Sequence, residues 1–239
     1  MNCAFGTALW PPLCGPSARR CGFLLLVASL LGTAFQPCIA EDVASGAVGH
    51  ENPESMAEVM PGDHWSYEYR DDITGDLKTA TTVVTDVTAK DISVRSNPVG
   101  AKGVAYITYD RDWNVQNTGT FKFAPHDGTG IQKPLAVGRS WKIQGRDTST
   151  SGSTWRRNGQ SKVVAEEQVT TSTGTFQAFK IETSIALSLT SNPARKAAIV
   201  MTTWYSAAVN RWVKRTAKYK IDGRVRENYT VELVDYGKR

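Results

Sequence analysis

Hydrophobic and polar side chains alternate through most of the chain after residue 61, beginning with residues 65–70 (WSYEYR). The aromatic residues of that segment recur at every second position, which places them on one face of an extended strand. The same period of two recurs in residues 92–94, 106–109, 141–143, 179–181, 185–189, 219–221 and 231–233. Because no long segment after residue 61 follows the 3.6-residue period of a helix, the pattern predicts an all-β protein with antiparallel sheets and little helix.

Glycine-containing dipeptides between these segments predict tight hairpins. Asp222-Gly223 separates two alternating segments near the end of the chain, and Asn158-Gly159 interrupts another stretch. Both dipeptides tolerate the positive φ that two-residue hairpin turns require. The many Thr and Val residues between the turns favour a pleated surface. Local sequence and hydrophobic period therefore agree on short strands joined by turns.

A weak internal repeat indicates two related modules. Residues 61–65 (PGDHW) are echoed 76 residues later by residues 137–141 (VGRSW). Either module alone would be marginally stable, so we expect them to share one sheet system. The sequence thus predicts a single β domain over residues 61–239, with modules at about 61–135 and 136–239. We expect these modules to form a curved sheet or half-barrel, or a sandwich.

Two segments carry a resemblance to a known group of proteins. Residues 174–181 (GTFQAFKI) read as a strand after a glycine turn, and residues 203–214 (TWYSAAVNRWVK) read as a hairpin. Together they resemble motifs of an uncharacterised family of exported β-rich proteins of proteobacteria, hypothetical periplasmic proteins of unknown function. In that family the hairpin tip usually carries Pro and Gly, where this chain has Ala207 and Asn210. Asn permits a left-handed turn, so the hairpin is expected to persist. The resemblance implies a fold but no activity.

The first forty residues have the pattern of a cleavable export signal. Arg19 and Arg20 are their only charges, and an apolar core over residues 23–31 is shorter than the ~20 residues that cross a bilayer. Small residues precede Glu41, which predicts a Sec-type signal peptide over residues 1–40 with cleavage near Ala40. Lipidation of Cys38 and twin-arginine export are alternatives. Residues 41–60 are read as a flexible leader because they contain few large apolar groups. The expected location is the periplasm or the medium.

All four cysteines lie within the predicted signal peptide, so the 199 residues from Glu41 onward contain none. This cysteine-free mature chain has no disulfide, thiolate nucleophile or zinc–thiolate site. Neither His64 nor His126 has a partner at metal-ligand spacing, and no phosphate-binding glycine loop or serine nucleophile elbow is present. The sequence therefore predicts no cofactor, no metal site and no catalytic residue.

The spacing of residues along the sequence does not exclude carboxylate catalysis, since two acids distant in sequence can meet across a sheet. Asp110 and Asp112 form one candidate group, and Asp71, Asp72 and Asp76 form another. Both groups are more simply explained as hairpin ends, where Asp accepts hydrogen bonds from backbone N–H groups. A carboxylate-dependent hydrolase acting on envelope polymers therefore stays as the second hypothesis.

The predicted mature chain contains six tryptophans, at positions 65, 113, 141, 155, 204 and 212. Trp65 and Trp141 occupy equivalent positions of the repeat, which favours a structural role. Trp204 and Trp212 bracket the predicted hairpin and are expected to pack across it. Trp155 lies beside two arginines and after a Ser/Thr-rich stretch, which makes it the best candidate for an exposed platform.

Charge is distributed unevenly along the chain. Residues 41–76 contain ten acidic residues and one Arg, whereas residues 195–226 contain nine Lys or Arg and one Asp. Alternation in the last hairpin predicts an outer face that carries Lys218, Lys220, Arg224 and Arg226, while Tyr219, Ile221 and Val225 point inward. This face is the predicted site for an anionic partner. The alternatives are a solvated face, or an edge strand protected by its lysines.

These observations favour a non-catalytic exported protein that binds an envelope component or another envelope protein. Nucleic acid is not expected as a partner in that compartment. A membrane-spanning barrel is disfavoured because the outer faces of the strands carry Lys, Arg and Glu, where lipid would require apolar residues.

Overall fold

Twelve strands build the computed structural model, which describes residues 56, 58–98 and 103–238. Each strand arises from a segment with the alternating pattern, and turns rich in Gly, Asp, Asn or Ser separate most of them. In chain order the strands are β1 (His64–Asp71), β2 (Leu77–Val87), β3 (Asp91–Pro98), β4 (Ala105–Asp110), β5 (Val115–Asn117), β6 (Phe121–Ala124), β7 (Ser140–Ser149), β8 (Thr154–Thr171), β9 (Gly174–Leu189), β10 (Asn192–Ser206), β11 (Arg211–Ile221) and β12 (Arg224–Gly237).

The strands form a closed antiparallel barrel. Each strand pairs with its neighbours in the sequence, and β1 closes the ring by pairing with both β2 and β12. At this closure Trp65 lies opposite Tyr236, and Tyr67 lies opposite Leu233. The prediction of an all-β antiparallel fold is confirmed. The prediction of a half-barrel or sandwich from two modules is wrong, because closure pairs the strand edges that those architectures would leave free.

The strand connections divide between two ends of the barrel. At the hairpin end lie the connections β1–β2, β3–β4, β5–β6, β7–β8, β9–β10 and β11–β12, and at the loop end lie the remaining ones. The weakest seam is β5–β6, where the ladder consists of the single pair Asn117 and Lys122. The strongest ladder joins β8 to β9 over the full length of both strands.

The buried apolar core fills the barrel interior. Trp65, Ile92, Ile181 and Leu233 are among its fully buried members, and they come from strands all around the ring. Alternation places the inward side chains of each strand in this core and leaves the intervening polar side chains outside. The period-two pattern in the sequence therefore corresponds to the inner and outer faces of one barrel wall.

Two of the predicted turns form and one does not. Asp222 and Gly223 have φ of 47° and 78°, as a tight hairpin requires, and Asn210 takes the left-handed conformation with φ of 46°. Asn158 and Gly159 instead lie within β8, opposite residues of β9, so the turn predicted there is wrong. A Cβ atom at Gly159 would lie 2.3 Å from the Ser184 carbonyl oxygen, so glycine is needed there for close strand approach.

At the start of the described chain, Met56 and Val59 are buried in the core, and the Met56 N–H donates to the Ala208 carbonyl. The predicted signal peptide, its cleavage site and the earlier part of the leader lie outside the described residues. None of the residues that the structure describes forms a helix long and apolar enough to cross a membrane.

Candidate functional site

The predicted cationic face lies at the hairpin end, on β11 and the start of β12. Lys218 and Lys220 are exposed and alternate with buried Tyr219 and Ile221, as expected from the period of two. Arg224 and Arg226 are also exposed. All four cations therefore lie near one hairpin, which we call the basic hairpin (residues 218–226).

A bulge changes which residues share a face of this hairpin. The register between β11 and β12 shifts between Tyr219 and Lys220, so that Val225 lies opposite Lys220 and Arg224 lies opposite Ile221. Val225 accordingly points outward and is 44% exposed, which makes the prediction that it points inward wrong. Arg224 belongs to the opposite side of the pleat from the two lysines, and it is exposed because it lies at the tip of the hairpin.

None of the four cations of the basic hairpin takes part in the ion pairs formed among residues 58–98 and 103–238. Lys214, further along β11, is compensated by Glu232 at 2.5 Å. Exposed Arg195 and Lys196 on β10 add positive charge near the same tip. The basic hairpin therefore carries four cations and one acid, Asp222, and none of the four cations is ion-paired within the described residues.

The β6–β7 connection supplies polar groups to the barrel interior. Asp127 is buried, and its carboxylate accepts hydrogen bonds from the Val115 and Thr129 N–H groups and from the Thr129 hydroxyl. Gly128 packs so closely that an added Cβ atom would lie 2.5 Å from Ile143. Residues 125–128 (PHDG) have the composition of a turn, and the second half of this turn, Asp127 and Gly128, is buried in the core.

Arg157 and Asp147 form a buried ion pair near the hairpin end. Arg157 Nε and Nη2 donate to the two carboxylate oxygens of Asp147 at 2.9 and 2.5 Å, and each side chain is only 4% exposed. Burial raises the pKa of Asp147, while the adjacent Arg157 guanidinium opposes that shift. The third donor nitrogen, Arg157 Nη1, is buried without a hydrogen-bond partner among the described residues.

Two further arginines lie inside the barrel around Trp212. The guanidinium carbons of Arg211 and Arg215 each lie 4.0 Å from the Trp212 ring centroid. Arg215 Nε donates to the Thr203 hydroxyl and Nη2 donates to the Thr129 carbonyl. Burial lowers the pKa of Arg215, which nevertheless stays protonated because an arginine starts from so high a value.

Arg211 is held by aromatic rings instead of a carboxylate. It is fully buried, with its guanidinium carbon 3.9 to 5.2 Å from the ring centroids of Trp113, Trp212, Tyr109 and Trp65. Its Nη2 donates to the Tyr109 hydroxyl at 3.2 Å, while Nε and Nη1 have no partner in the described part of the chain. We call this group the aromatic cage; it closes the loop end of the interior.

A cavity of about 70 Å³ lies between these features. Its wall is largely apolar and includes Leu187, Ile199, Met201 and Ala217. Polar groups reach it from Arg157, Asp147, Asp127, Thr129, Arg215, Tyr109, Tyr219 and Tyr229. The half-buried rings of Phe121 and Phe123 also line it, on the strand that follows the weak β5–β6 seam.

Two of the acids named from the sequence, Asp71 and Asp110, act as capping groups, whereas Asp72 accepts from the Arg70 and Thr230 side chains. One Asp71 oxygen accepts from the Ile73 and Thr74 N–H groups, and one Asp110 oxygen accepts from those of Asp112 and Asn114. Burial and the Asp110 charge raise the pKa of Asp112. Over residues 58–98 and 103–238 no three His, Cys, Asp or Glu side chains group as metal ligands would.

Two acids that the sequence did not single out, Asp127 and Asp147, line the same cavity. They are 2% and 3% exposed, and each is already engaged by the hydrogen bonds described above. Both acids are therefore interior groups that already have hydrogen-bond partners.

The tryptophans differ from expectation. Trp155 is 1% exposed, so the prediction that it is the most exposed is wrong; alternation places it inside with Arg157. Trp212 points into the core, whereas Trp204 points outward and donates from Nε1 to Glu167 at 2.7 Å, so the two do not share a face. Trp65 is fully buried, in agreement with a structural role.

Sequence reasoning missed the interior arginines, although a signal for them exists. Arg157 is an even number of residues from Trp155, Ser161 and Val163 along β8, so it shares their face of the strand. Arg215 shares a face with Ala217 and Tyr219 of β11 in the same way. Once those neighbours are assigned to the inner face, alternation places the arginines there too. Arg211 follows a bulged turn, where alternation makes no prediction.

No protein-family profile and no curated protein sequence matches this chain. Its structure is similar to a candidate lipoprotein from Parabacteroides distasonis, with a TM-score of 0.45, 13% identity, and coverage of 74% of this chain and 95% of the other. It is also similar to a candidate exported protein with a YmcC-like fold from Bacteroides fragilis, with a TM-score of 0.45, 11% identity, and coverage of 75% and 97%.

A third similar structure is the hypothetical lipoprotein YmcC from Escherichia coli, with a TM-score of 0.44, 9% identity, and coverage of 75% of this chain and 86% of the other. The three similar structures thus come from Parabacteroides, Bacteroides and Escherichia.

Proposed function

We propose that this protein is a non-catalytic exported protein that binds an anionic component of the cell envelope through the basic hairpin. The observation that carries the proposal is the uncompensated charge of Lys218, Lys220, Arg224 and Arg226, which are exposed together on one hairpin. Clustered cations raise the local concentration of polyanions, and their effect falls as salt screens them.

The closed barrel weakens the main competing explanation for these charges. Lysines on an exposed edge strand protect a sheet against aggregation. Here β11 is hydrogen-bonded to β10 on one side and to β12 on the other, so it has no free edge to protect. Edge protection therefore does not account for the four cations; against the remaining alternative of a solvated face, their grouping on one hairpin favours recognition of an anionic surface.

The hairpin is suited to this role because its geometry is fixed. Ladders on both sides hold β11, and Asp222 and Gly223 form a tight turn at the tip. The Asp222 carboxylate also accepts from the Lys196 N–H at 3.0 Å, which ties the tip to β10. Less conformational entropy is lost when prearranged cations bind than when a mobile loop must be ordered.

Charge reversal of the basic hairpin tests the proposal. The change is Lys218→Glu, Lys220→Glu, Arg224→Glu and Arg226→Glu together, and the probe is vesicles containing phosphatidylglycerol or phosphatidylcholine alone. Wild type should bind the anionic vesicles at low salt, and the variant should bind at least about tenfold more weakly, since each basic residue near an anionic surface contributes about 1 kcal/mol. Its melting temperature should be unchanged.

A matched control reverses four exposed lysines elsewhere, Lys90, Lys122, Lys133 and Lys142, with the same change in net charge. Binding that falls equally in both variants would show that net charge alone is responsible. Unchanged binding in the hairpin variant would refute the site. Intact-mass measurement of the exported protein tests the predicted cleavage near Ala40 and the absence of lipid.

A further inference from the structure

The outer face of the barrel contains a groove that the proposed function does not use. The groove has a volume of about 410 Å³ and opens to solvent beside the end of β6. Four exposed polar side chains line it: Gln144, Arg146, Arg156 and Asn158. None of the cations of the basic hairpin is among the described residues that line the groove, so the two surfaces are separate.

Strand pairing explains why the surface is concave at this point. β6 pairs with β7 only as far as Ala124 opposite Arg146, so β7 continues toward Gln144 without β6 beside it. A Cβ atom at Gly145 would lie 2.9 Å from the Ala124 carbonyl oxygen, so glycine permits the close approach of the two backbones. Two small residues, Ala124 and Gly145, therefore lie among the four larger polar side chains of the groove.

Two arginines lie directly opposite each other in the groove. Arg146 of β7 pairs with Arg156 of β8, and both side chains point outward, whereas the next residue, Arg157, points inward to Asp147. Side chains paired in this way begin about 4.5 to 5.5 Å apart, and like charges at that position destabilise a sheet. Neither Arg146 nor Arg156 takes part in the ion pairs formed among residues 58–98 and 103–238. An anion held between them would remove their repulsion.

Neighbouring acids do not offset the arginine pair. Residues 154–162 of β8 contain no acid, and the one acid of β7, Asp147, is buried and bonded to Arg157. The one acid of β9, Glu182, lies opposite Lys162, further along β8 than the arginine pair. The groove therefore lies in a positive part of the outer surface.

The charge and shape of the two guanidinium groups match a phosphate monoester. Each guanidinium presents a planar fork of N–H donors that fits phosphate oxygens. A phosphate monoester carries a charge of about −1.5 to −2 at pH 7, so one such group balances both Arg146 and Arg156. A carboxylate carries a single charge and would leave one guanidinium unbalanced.

The other groups of the groove match a polar body attached to that phosphate. Gln144 and Asn158 lie opposite each other, beside the arginine pair on the same outer face. Amide side chains both donate to and accept from hydroxyl groups. No large apolar side chain is among the described residues that line the groove, and its volume lies within the range of about 300 to 1,000 Å³ found for small-molecule sites. A sugar has the hydroxyl groups and the size that this arrangement fits.

We propose that the groove binds a sugar phosphate, with the phosphate held between Arg146 and Arg156 and the sugar hydroxyls bonded to Gln144 and Asn158.

Titration calorimetry of the folded protein with glucose 6-phosphate tests this site. Wild type should bind one equivalent saturably and at least about tenfold more tightly than glucuronate, which carries one negative charge, because the second guanidinium adds a charged hydrogen bond. Inorganic phosphate should bind severalfold more weakly than glucose 6-phosphate, and glucose should show no saturable binding.

Matched variants separate the arginine pair from general positive charge. Arg146→Gln and Arg156→Gln should each weaken binding of glucose 6-phosphate at least about tenfold. Lys142→Gln on β7 and Lys162→Gln on β8 remove the same charge from exposed positions of the same two strands and should change the affinity less than about twofold. Without ligand, both arginine variants should melt at or above the temperature of wild type, because the repulsion between the arginines is gone.

Two further variants test the sugar contacts and the independence of the site. Asn158→Leu should weaken binding of glucose 6-phosphate severalfold and leave binding of inorganic phosphate unchanged. The charge-reversed basic hairpin should bind glucose 6-phosphate as wild type does, so failure of one proposal does not imply failure of the other.

Four outcomes would overturn the inference. Equal losses in the arginine and lysine variants would show attraction by net charge alone. Equal affinities for glucuronate and glucose 6-phosphate would show that the groove does not select phosphate. Unchanged binding of glucose 6-phosphate by Asn158→Leu would remove the sugar from the groove. Absence of saturable binding at millimolar glucose 6-phosphate would show that the two arginines are solvated only.

Discussion

The two ends of the barrel bury arginines in different ways. At the loop end, Arg211 lies among four aromatic rings, and no carboxylate in the described part of the chain is bonded to it. At the hairpin end, Arg157 is held by both oxygens of Asp147, and a cavity lies beside the pair. The aromatic cage stabilises its cation through packed ring faces, whereas the ion pair depends on one partner. The cage therefore spreads the contacts of its cation over four rings, whereas the ion pair forms part of the wall of the cavity.

Single substitution of each arginine should give the largest contrast. Arg157→Met leaves the Asp147 carboxylate buried and unpaired, so we expect a loss of about 3 to 5 kcal/mol in the free energy of unfolding. Arg211→Met leaves no orphaned acid and removes two donors that lack partners, which offsets much of the lost cation–π attraction. We expect a loss below about 2 kcal/mol there. Urea unfolding measures both losses of free energy. An unchanged m-value in each variant shows that the same amount of surface is exposed on unfolding.

The double variant Arg157→Met with Asp147→Leu is the control for this experiment. It should recover most of the stability lost in Arg157→Met, because a well-packed apolar pair can replace a buried ion pair. A loss in Arg211→Met equal to or greater than that in Arg157→Met would contradict the comparison of the two ends.

Larger side chains in the core should stabilise the protein beside the cavity and destabilise it beside the aromatic cage. Ala217→Leu places three further carbons in the cavity and should stabilise the protein by about 0.5 to 2 kcal/mol. Val213→Leu on the same strand adds one carbon at a fully buried position near the aromatic cage and should destabilise it by about 1 to 3 kcal/mol. Thermal unfolding of both variants measures the difference. Destabilisation by Ala217→Leu would show that the cavity wall cannot accommodate added volume.

The smallest expected effect is a pH dependence confined to the hairpin end. Burial raises the pKa of Asp147, and removal of Arg157 takes away the charge that opposes this shift. In Arg157→Met the folded state then binds more protons than the unfolded state, so stability falls as pH rises above the ordinary Asp value. The loss of unfolding free energy in Arg157→Met, relative to wild type, should therefore be about 1 kcal/mol smaller at about pH 5 than at about pH 7.

Arg211→Met leaves no carboxylate unpaired. Its stability deficit relative to wild type should therefore be the same at these two pH values. The variant that combines Arg157→Met with Asp147→Leu should also show a constant deficit, because the titrating group is gone. A deficit in Arg157→Met that stays constant with pH would show that Asp147 is not the group responsible.

Much of the strand content follows from local chemistry. Alternation in residues 65–70 and 219–221 places Trp65 and Tyr219 inside, and the positive φ at Asn210 and Asp222 follows from what those side chains tolerate. These predictions need only neighbours along the chain. They do not depend on which strands meet.

The same reasoning fails where distant segments meet. Asn158-Gly159 has the composition of a turn, yet Gly159 allows β8 to approach β9 at Ser184. Trp155 lies beside two arginines and after a Ser/Thr-rich stretch, yet it is 1% exposed and lies opposite Leu189 of β9. Val225 points outward because of a bulge, which shifts the register by one residue and reverses the face of each side chain beyond it.

The sequence by itself determined the inner and outer positions along regular strands, because the period of two is a property of extended backbone. Only the tertiary structure decided that β1 would pair with β12, and this single ladder converts an open sheet into a barrel. Closure pairs residues 158 to 173 positions apart, from Asp71 opposite Tyr229 to His64 opposite Gly237, and no local pattern encodes it. Closure also creates the interior, so it turns Arg157, Arg211 and Arg215 from apparent surface charges into buried groups.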